Sequence, residues 1–512
     1  MLVDSKDMSL IIGRQRVSSE DSRAIEPPWT THYNPSVTRK LPRLSLWHAG
    51  CGWIVLVCLL LGSCSSSSRV ARDIIPSASP PSEDEDTRIS REFRREIKKY
   101  VKFINDPEVD RYVDGVGRRI VSALGPQPFD YRYFVIDESV LNAFAVPGGS
   151  IYIYSGLLDR VRSTDELAAV MAHETTHVAK RHMARMSGID PISVLSLVGA
   201  LLAARAGAGA QAAAVLGQGI AATRQIAFTR QLELEADTLG FKFMTQAGYD
   251  PHAMLSFQKL MLQEQTLNPI DVPPFLLDHP LTQERVANVE LLMRSIQSSE
   301  PASIGIDPIK KIQTLIRLER HEADTVIAEQ KKVLSQSPKN SEAYQLLGIA
   351  FFSNGMWQAA RENLEQALAL NPKSPGIHRD LGRVYTQIND YRSAHAAFDR
   401  SLALEQQESL TYLYLGELYE KEGNLGSAAG AYLNANNLSP LWDKPSYQLS
   451  VVYGKLDRLA DAYYYHGRWL LLQDDDERAA TDFDKAIKIL GEQSPRGQLI
   501  KEELAALRSR RK

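Results

Sequence analysis

His173-Glu-Thr-Thr-His177 and, 56 residues later, Glu233-Leu-Glu-Ala-Asp237 are the two stretches on which the fold turns. Both sit where apolar spacing predicts helix. Two histidines four apart share one helical face, so both imidazoles can reach a single metal ion. Glu174, beside the first of them, is then placed to take a proton from a water at that metal. Glu233 and Asp237 are also four apart. Zinc in hydrolytic sites takes three protein ligands and leaves one position open, so Glu233 can complete the set. Asp237 can accept a hydrogen bond from a ligating histidine and fix its tautomer. Standing alone, an ExxxD pair reads as an acidic solvated helix face; following HExxH it reads as the rest of a metal site.

Working outward, Phe93, Ile97, Val101 and Ile104, then Tyr112, Val116 and Ile120, give 87–124 a helical period. Tyr131-Arg-Tyr-Phe-Val-Ile136 and Ser150-Ile-Tyr-Ile-Tyr154 suit strands, and the Pro and paired Gly of 142–149 between them suit a tight turn. A helix is expected from about Thr164 into the 180s, capped by Thr164 or Asp165. Together these predict a peptidase domain over 87–300, α+β with a small sheet.

HExxH, a later helical ExxxD and a preceding Asn142-Ala-Phe-Ala-Val-Pro-Gly-Gly-Ser-Ile151 resemble the membrane-associated zinc metallopeptidases that include the CAAX prenyl endopeptidase and HtpX. That resemblance covers about 90–300 and implies a zincin-like fold holding one Zn2+. It implies His173, His177 and Glu233, rather than Glu235, as the ligands, Glu174 as general base, and Asp237 behind a ligating histidine. His182, five residues past His177, is read as structural and pointing away from the metal. His279 lies in Asp278-His-Pro-Leu-Thr-Gln-Glu-Arg285. BepA-type members of the family carry such a motif, which implies that His279 is a zinc-facing gate or a substrate contact. Arg285 matches the same pattern and is expected to steady substrate or the transition-state oxyanion.

After about residue 307 a period of 34 takes over. Leu347-Gly348, Leu381-Gly382 and Leu415-Gly416 repeat at that interval, as do Phe351, Tyr385, Tyr419 and Tyr453, and Ala360, Ala394, Ala428 and Ala462. This resembles tetratricopeptide repeats, helix pairs in which small residues permit close packing. Five or six units are expected over 307–512, making the chain mainly α: a metallopeptidase domain followed by an α-solenoid that binds peptides or protein partners. The acidic run Asp474-Asp-Asp-Glu477 reads as a solvated turn, or as a site for a cation or a basic partner.

The first 63 residues read as a leader. An apolar run, Trp53–Leu61, follows Arg39, Lys40 and Arg43 and is too short to span a bilayer. Leu61-Gly-Ser-Cys64 resembles a lipobox, which implies lipidation at Cys64; an uncleaved signal anchor is the other reading. Residues 64–86 are rich in Ser, Pro and acid and suit a flexible tether. All 3 cysteines lie at or before Cys64, so no disulfide framework and no thiolate metal site is available to the body of the chain. A net charge of −3 argues against nucleic acid as partner. The apolar stretch 191–222 is expected to form a buried or membrane-grazing helical hairpin over the active site.

Peptidase, repeats and lipoprotein leader together resemble the BepA-type group, implicated in quality control of outer-membrane β-barrel proteins. The resemblance implies a periplasmic, outer-membrane-anchored zinc endopeptidase. Its expected partners are misfolded or unfolded barrel proteins and their assembly machinery, met through the repeats. The alternative is a latent protease acting mainly as a chaperone or assembly factor.

Overall fold

The computed structural model describes residues 82–185, 230–267, 275–276, 279–295 and 307–509. The leader, Cys64, the tether as far as residue 81 and the stretch 191–222 lie outside them. Among the described residues no helix is long and apolar enough to cross a membrane.

Ser82 starts the first helix, α1 (Glu83–Ile97), its hydroxyl accepting the Glu85 amide at 3.1 Å. Four acids in the first turn and Arg94 and Arg95 in the last complement the helix dipole. The helix therefore begins within the segment expected as tether, because Ile89, Phe93 and Ile97 have a sheet to cover. The single helical period over 87–124 resolves into two helices. α2 (Pro107–Ser122) has its own cap, Asp106, while Val101 and Ile104 fall in an extended link where Phe103 bridges Ile136.

The sheet has three strands, β1 (Arg132–Ile136), β2 (Ala143–Val146) and β3 (Ser150–Tyr154). β3 is central, parallel to β1 and antiparallel to β2. Half of the expected turn at 142–149 is thus a strand. The turn itself shrinks to Pro147–Gly149, with Gly148 and Gly149 at φ 85° and 103°, a region costly for side-chain-bearing residues. Alternation along β3 serves two layers. Ile151 and Ile153 enter the main core, while Tyr152 stacks between Phe134 and Phe144, centroids 5.1 and 4.9 Å away, beneath Phe93 of α1.

α3 (Thr164–Ala179) is capped by Ser163 rather than by Thr164 or Asp165. Thr164 is engaged elsewhere, donating its amide to Asp307 at 2.7 Å. From Leu167 to Val178 the helix is buried all round, as befits one enclosed by other elements. Then come α4 (His182–Arg185), α5 (Arg230–Gln246), α6 (His252–Leu267) and α7 (Gln283–Arg294). α5 lies directly along α3. Gly240 permits this approach, since a Cβ there would stand 3.1 Å from the His173 amide nitrogen.

Twelve further helices follow among the described residues, from Ile309–Glu319 to Pro495–Ser509. The first helices of the central pairs begin at Ser341, Pro375, Ser409 and Asp443, at the 34-residue interval of the sequence. Within a pair the small residue has the role expected of it. A Cβ on Gly382 would come within 2.6 Å of the Phe398 ring sixteen residues on. The same offset recurs between Gly467 and Phe483, half a repeat out of phase, so the terminal helices pack in a shifted register.

The repeats close back onto the peptidase region through buried charge. Lys311 donates to Glu108 of α2 at 2.8 Å and to Asp380 at 2.9 Å, and Arg379 also pairs with Glu108. The acidic run, expected as a solvated turn, is in part buried. Asp474 takes a bidentate contact from Arg94 of α1 at 2.7 and 2.6 Å, and Arg95 donates to its carbonyl at 2.5 Å. The basic partner of that run is the chain's own first helix.

Candidate metal centre

α3 and α5 bring the two motifs face to face. The Nε2 atoms of His173 and His177 are 3.0 Å apart, and Glu233 oxygens lie 3.4 and 3.5 Å from them. His279 joins this group, its Nδ1 3.1 Å from Glu233 Oε1 and 3.3 Å from His173 Nε2. One ligand atom from each of these four residues falls within 4.8 Å of the others, and all four side chains are buried. Glu174, 1% exposed, stands beside them, its Oε1 3.3 Å from His279 Nε2.

Behind this first circle further side chains hold His173, Glu233 and His177. His173 Nδ1 lies 3.0 Å from Asp237 Oδ1. Asp237 is clamped by Arg285, Nε to Oδ2 at 2.7 Å and Nη2 to Oδ1 at 2.8 Å, a fork-on-carboxylate geometry. Arg285 also reaches Glu233 Oε2 at 2.7 Å and the carbonyls of His279 and Pro280. The guanidinium expected to face substrate is thus engaged with the site's own carboxylates and with the loop that carries His279. His182 stays outside the ligand cluster but meets His177 from behind. It is fully buried, with Nδ1 2.9 Å from His177 Nδ1. α3 ends at Ala179 and Arg181 takes a left-handed φ of 51°, so helical counting from His177 no longer applies. Nothing in Lys180-Arg181 signals that break in the sequence; Arg181 is held in place by Asp86 of α1 at 2.7 Å.

The electrostatics are those of a cation site. Burial disfavours a charged His173, but Asp237 and Glu233 outweigh it and raise its pKa to about 10. Burial and then the neighbouring His173 charge hold His177 well below the ordinary histidine range. Burial likewise opposes ionisation of Glu233, yet the surrounding imidazoles, His279 first, keep its carboxyl strongly acidic. Two imidazoles, a carboxylate and a third imidazole converging in a buried pocket form an N/O donor set suited to a first-row transition metal, and no thiolate competes among the described residues.

The sequence profile of peptidase family M48 matches residues 107–292, and that of the tetratricopeptide repeat matches 351–415. The chain is similar to the beta-barrel assembly-enhancing protease of Escherichia coli K12, 34% identical over 219 residues, 41% of this chain and 45% of that protein. A putative beta-barrel assembly-enhancing protease of Vibrio cholerae is 35% identical over 201 residues, 38% of this chain and 41% of the relative. The mitochondrial metalloendopeptidase OMA1 of Schizosaccharomyces pombe is 30% identical over 181 residues, 35% of this chain and 51% of the relative. The chain thus spans about half the length of the curated relatives it matches. With HExxH and ExxxD meeting in one buried cluster inside the matched span, this chain carries a peptidase domain of family M48, followed by tetratricopeptide repeats.

Proposed function

We propose that this chain is a zinc-dependent endopeptidase that acts in quality control and assembly of outer-membrane β-barrel proteins. The observation that carries the reading is the convergence of His173, His177 and Glu233 with Glu174 alongside. Those three residues would hold one Zn2+, which when bound supplies Lewis-acid polarisation of the scissile carbonyl and acidifies water. Glu174 takes the proton of the attacking water and returns it to the leaving amine. Asp237, steadied by Arg285, keeps the proton of His173 on Nδ1, so that Nε2 presents its lone pair to the cation.

The substrate class is taken from the relatives named for β-barrel assembly, with the repeats as the surface that meets protein partners. A periplasmic site, with a lipid anchor at Cys64 in the outer membrane, is supported by those same relatives and by Leu61-Gly-Ser-Cys64. Two measurements test the proposal. The purified chain should contain stoichiometric zinc and cleave an unfolded β-barrel protein or casein. Cells producing Cys64→Ser should lose the protein from the membrane fraction, and its retention there would remove the anchor.

One contact favours a second reading, a latent protease that works mainly as an assembly factor. His279 stands within 3.3 Å of both Glu174 and His173, in the space an attacking water would need. As a gate it would leave for catalysis. Release of proteolysis by His279→Ala supports the gate, and unchanged cleavage removes it.

A further inference from the structure

The two histidines of HExxH are held from behind in different ways. His173 leans on a carboxylate, Asp237, at 3.0 Å. His177 leans on another imidazole. His182 Nδ1 is 2.9 Å from His177 Nδ1, the rings meeting at 83° with centroids 4.8 Å apart. On its far side His182 Nε2 lies 3.4 Å from Glu235 Oε2, and that oxygen accepts Arg185 Nη1 at 2.8 Å. Glu235 is the acid of the ExxxD helix that the metal cluster leaves unused.

These distances fix the protons once His177 Nε2 points into the cluster. Nε2 must then offer its lone pair, so the ring proton sits on Nδ1 and is donated to His182 Nδ1. His182 therefore keeps its own proton on Nε2, where the Glu235 carboxylate faces it. We propose that His182 is a positioning residue for the metal centre: through the relay Arg185–Glu235–His182 it fixes the tautomer and ring orientation of His177. A neutral imidazole orients its neighbour without adding a further full negative charge beside Glu174, Glu233 and Asp237. The left-handed turn at Arg181, tied to Asp86 of α1, brings His182 back to His177 after the helix ends.

The inference rests on the metal reading above and is tested so that the two fail separately. Zn2+ affinity is measured on the full chain by chelator competition, with the visible spectrum of the Co2+-loaded protein and the unfolding midpoint of the metal-free protein. His182→Phe keeps an aromatic ring but cannot accept the His177 proton; His182→Gln can. The expected result is about 10- to 100-fold weaker Zn2+ binding for His182→Phe. Its Co2+ spectrum should be altered and its metal-free midpoint unchanged, and His182→Gln should recover most of the affinity. Should His182→Phe not fold, Glu235→Ala, on a partly exposed side chain, carries the test with several-fold weaker binding expected. Affinity unchanged in these variants, or lost equally in Phe and Gln, would overturn the relay while leaving the metal site standing. Absence of zinc binding in the unsubstituted chain would remove both.

Discussion

Two of the places where the described residues bury several charges together settle them in opposite ways. At the junction of α2 with the repeats, Glu108 and Asp380 face Lys311 and Arg379, two acids against two bases, each within reach of an opposite charge. In the peptidase core, among the described residues, Glu233 and Asp237 pair with Arg285, and three imidazoles stand among them and Glu174. The junction is complete as it stands. The core cluster instead brings imidazole nitrogens and a carboxylate oxygen within 4.8 Å of one another, the donor set of a cation site. A buried ion network that neutralises itself indicates docking; one that leaves its donors converging on a point indicates a site.

Removing the metal is the sharpest way to separate the two. Dialysis against a strong chelator should bring cleavage to background, with recovery on adding Zn2+. Cleavage that survives full chelation would make the core cluster as structural as the junction. The next largest effect belongs to the junction. Glu108→Ala leaves Lys311 and Arg379 short of a buried partner and should cost about 3–5 kcal/mol of stability with zinc content unchanged. That pair also has a pH signature. Burial pushes the Glu108 carboxyl up, but Arg379 and Lys311 outweigh it and hold it at about 2. A group depressed in the folded state stabilises above its unfolded pKa and loses that contribution as pH falls through the folded value. Unfolding followed from pH 5 to pH 2 should therefore show a steeper acid loss in the unsubstituted chain than in Glu108→Ala, and parallel curves would deny the pair its role.

A smaller effect is expected behind the metal. Asp237→Asn removes the charge that orients His173 and should weaken Zn2+ binding about 10- to 100-fold, read by chelator competition. Smallest in reach is Gly382→Ala, which forces a methyl group against Phe398 and should cost about 1–3 kcal/mol by denaturant unfolding, with metal content and cleavage unaffected. If that substitution also impaired cleavage, the repeats would be coupled to the site more tightly than the geometry indicates.

What the sequence revealed in each region follows from how each is built. HExxH and ExxxD are legible because spacing on a continuous helix alone places their side chains, and α3 and α5 run unbroken through them. The repeat period is legible because one packing rule, glycine against a large side chain sixteen residues on, recurs from unit to unit. Features set by distant partners were not. β2 exists because β3 offers it an edge, although Pro and Gly beside it suggest only a turn. Asp474 reads as solvent-facing until α1 presents Arg94 to it. The contact of His182 with His177 was hidden by counting along a helix that stops at Ala179.

The central claim is that Glu174 performs proton transfer at a zinc ion held by its neighbours. It is tested most directly by measuring zinc content and cleavage together in the purified chain and in Glu174→Gln. The prediction is equal zinc in both, with cleavage lower by about 10²- to 10⁴-fold in the variant. Equal cleavage in the two proteins, or no zinc in either, would contradict it.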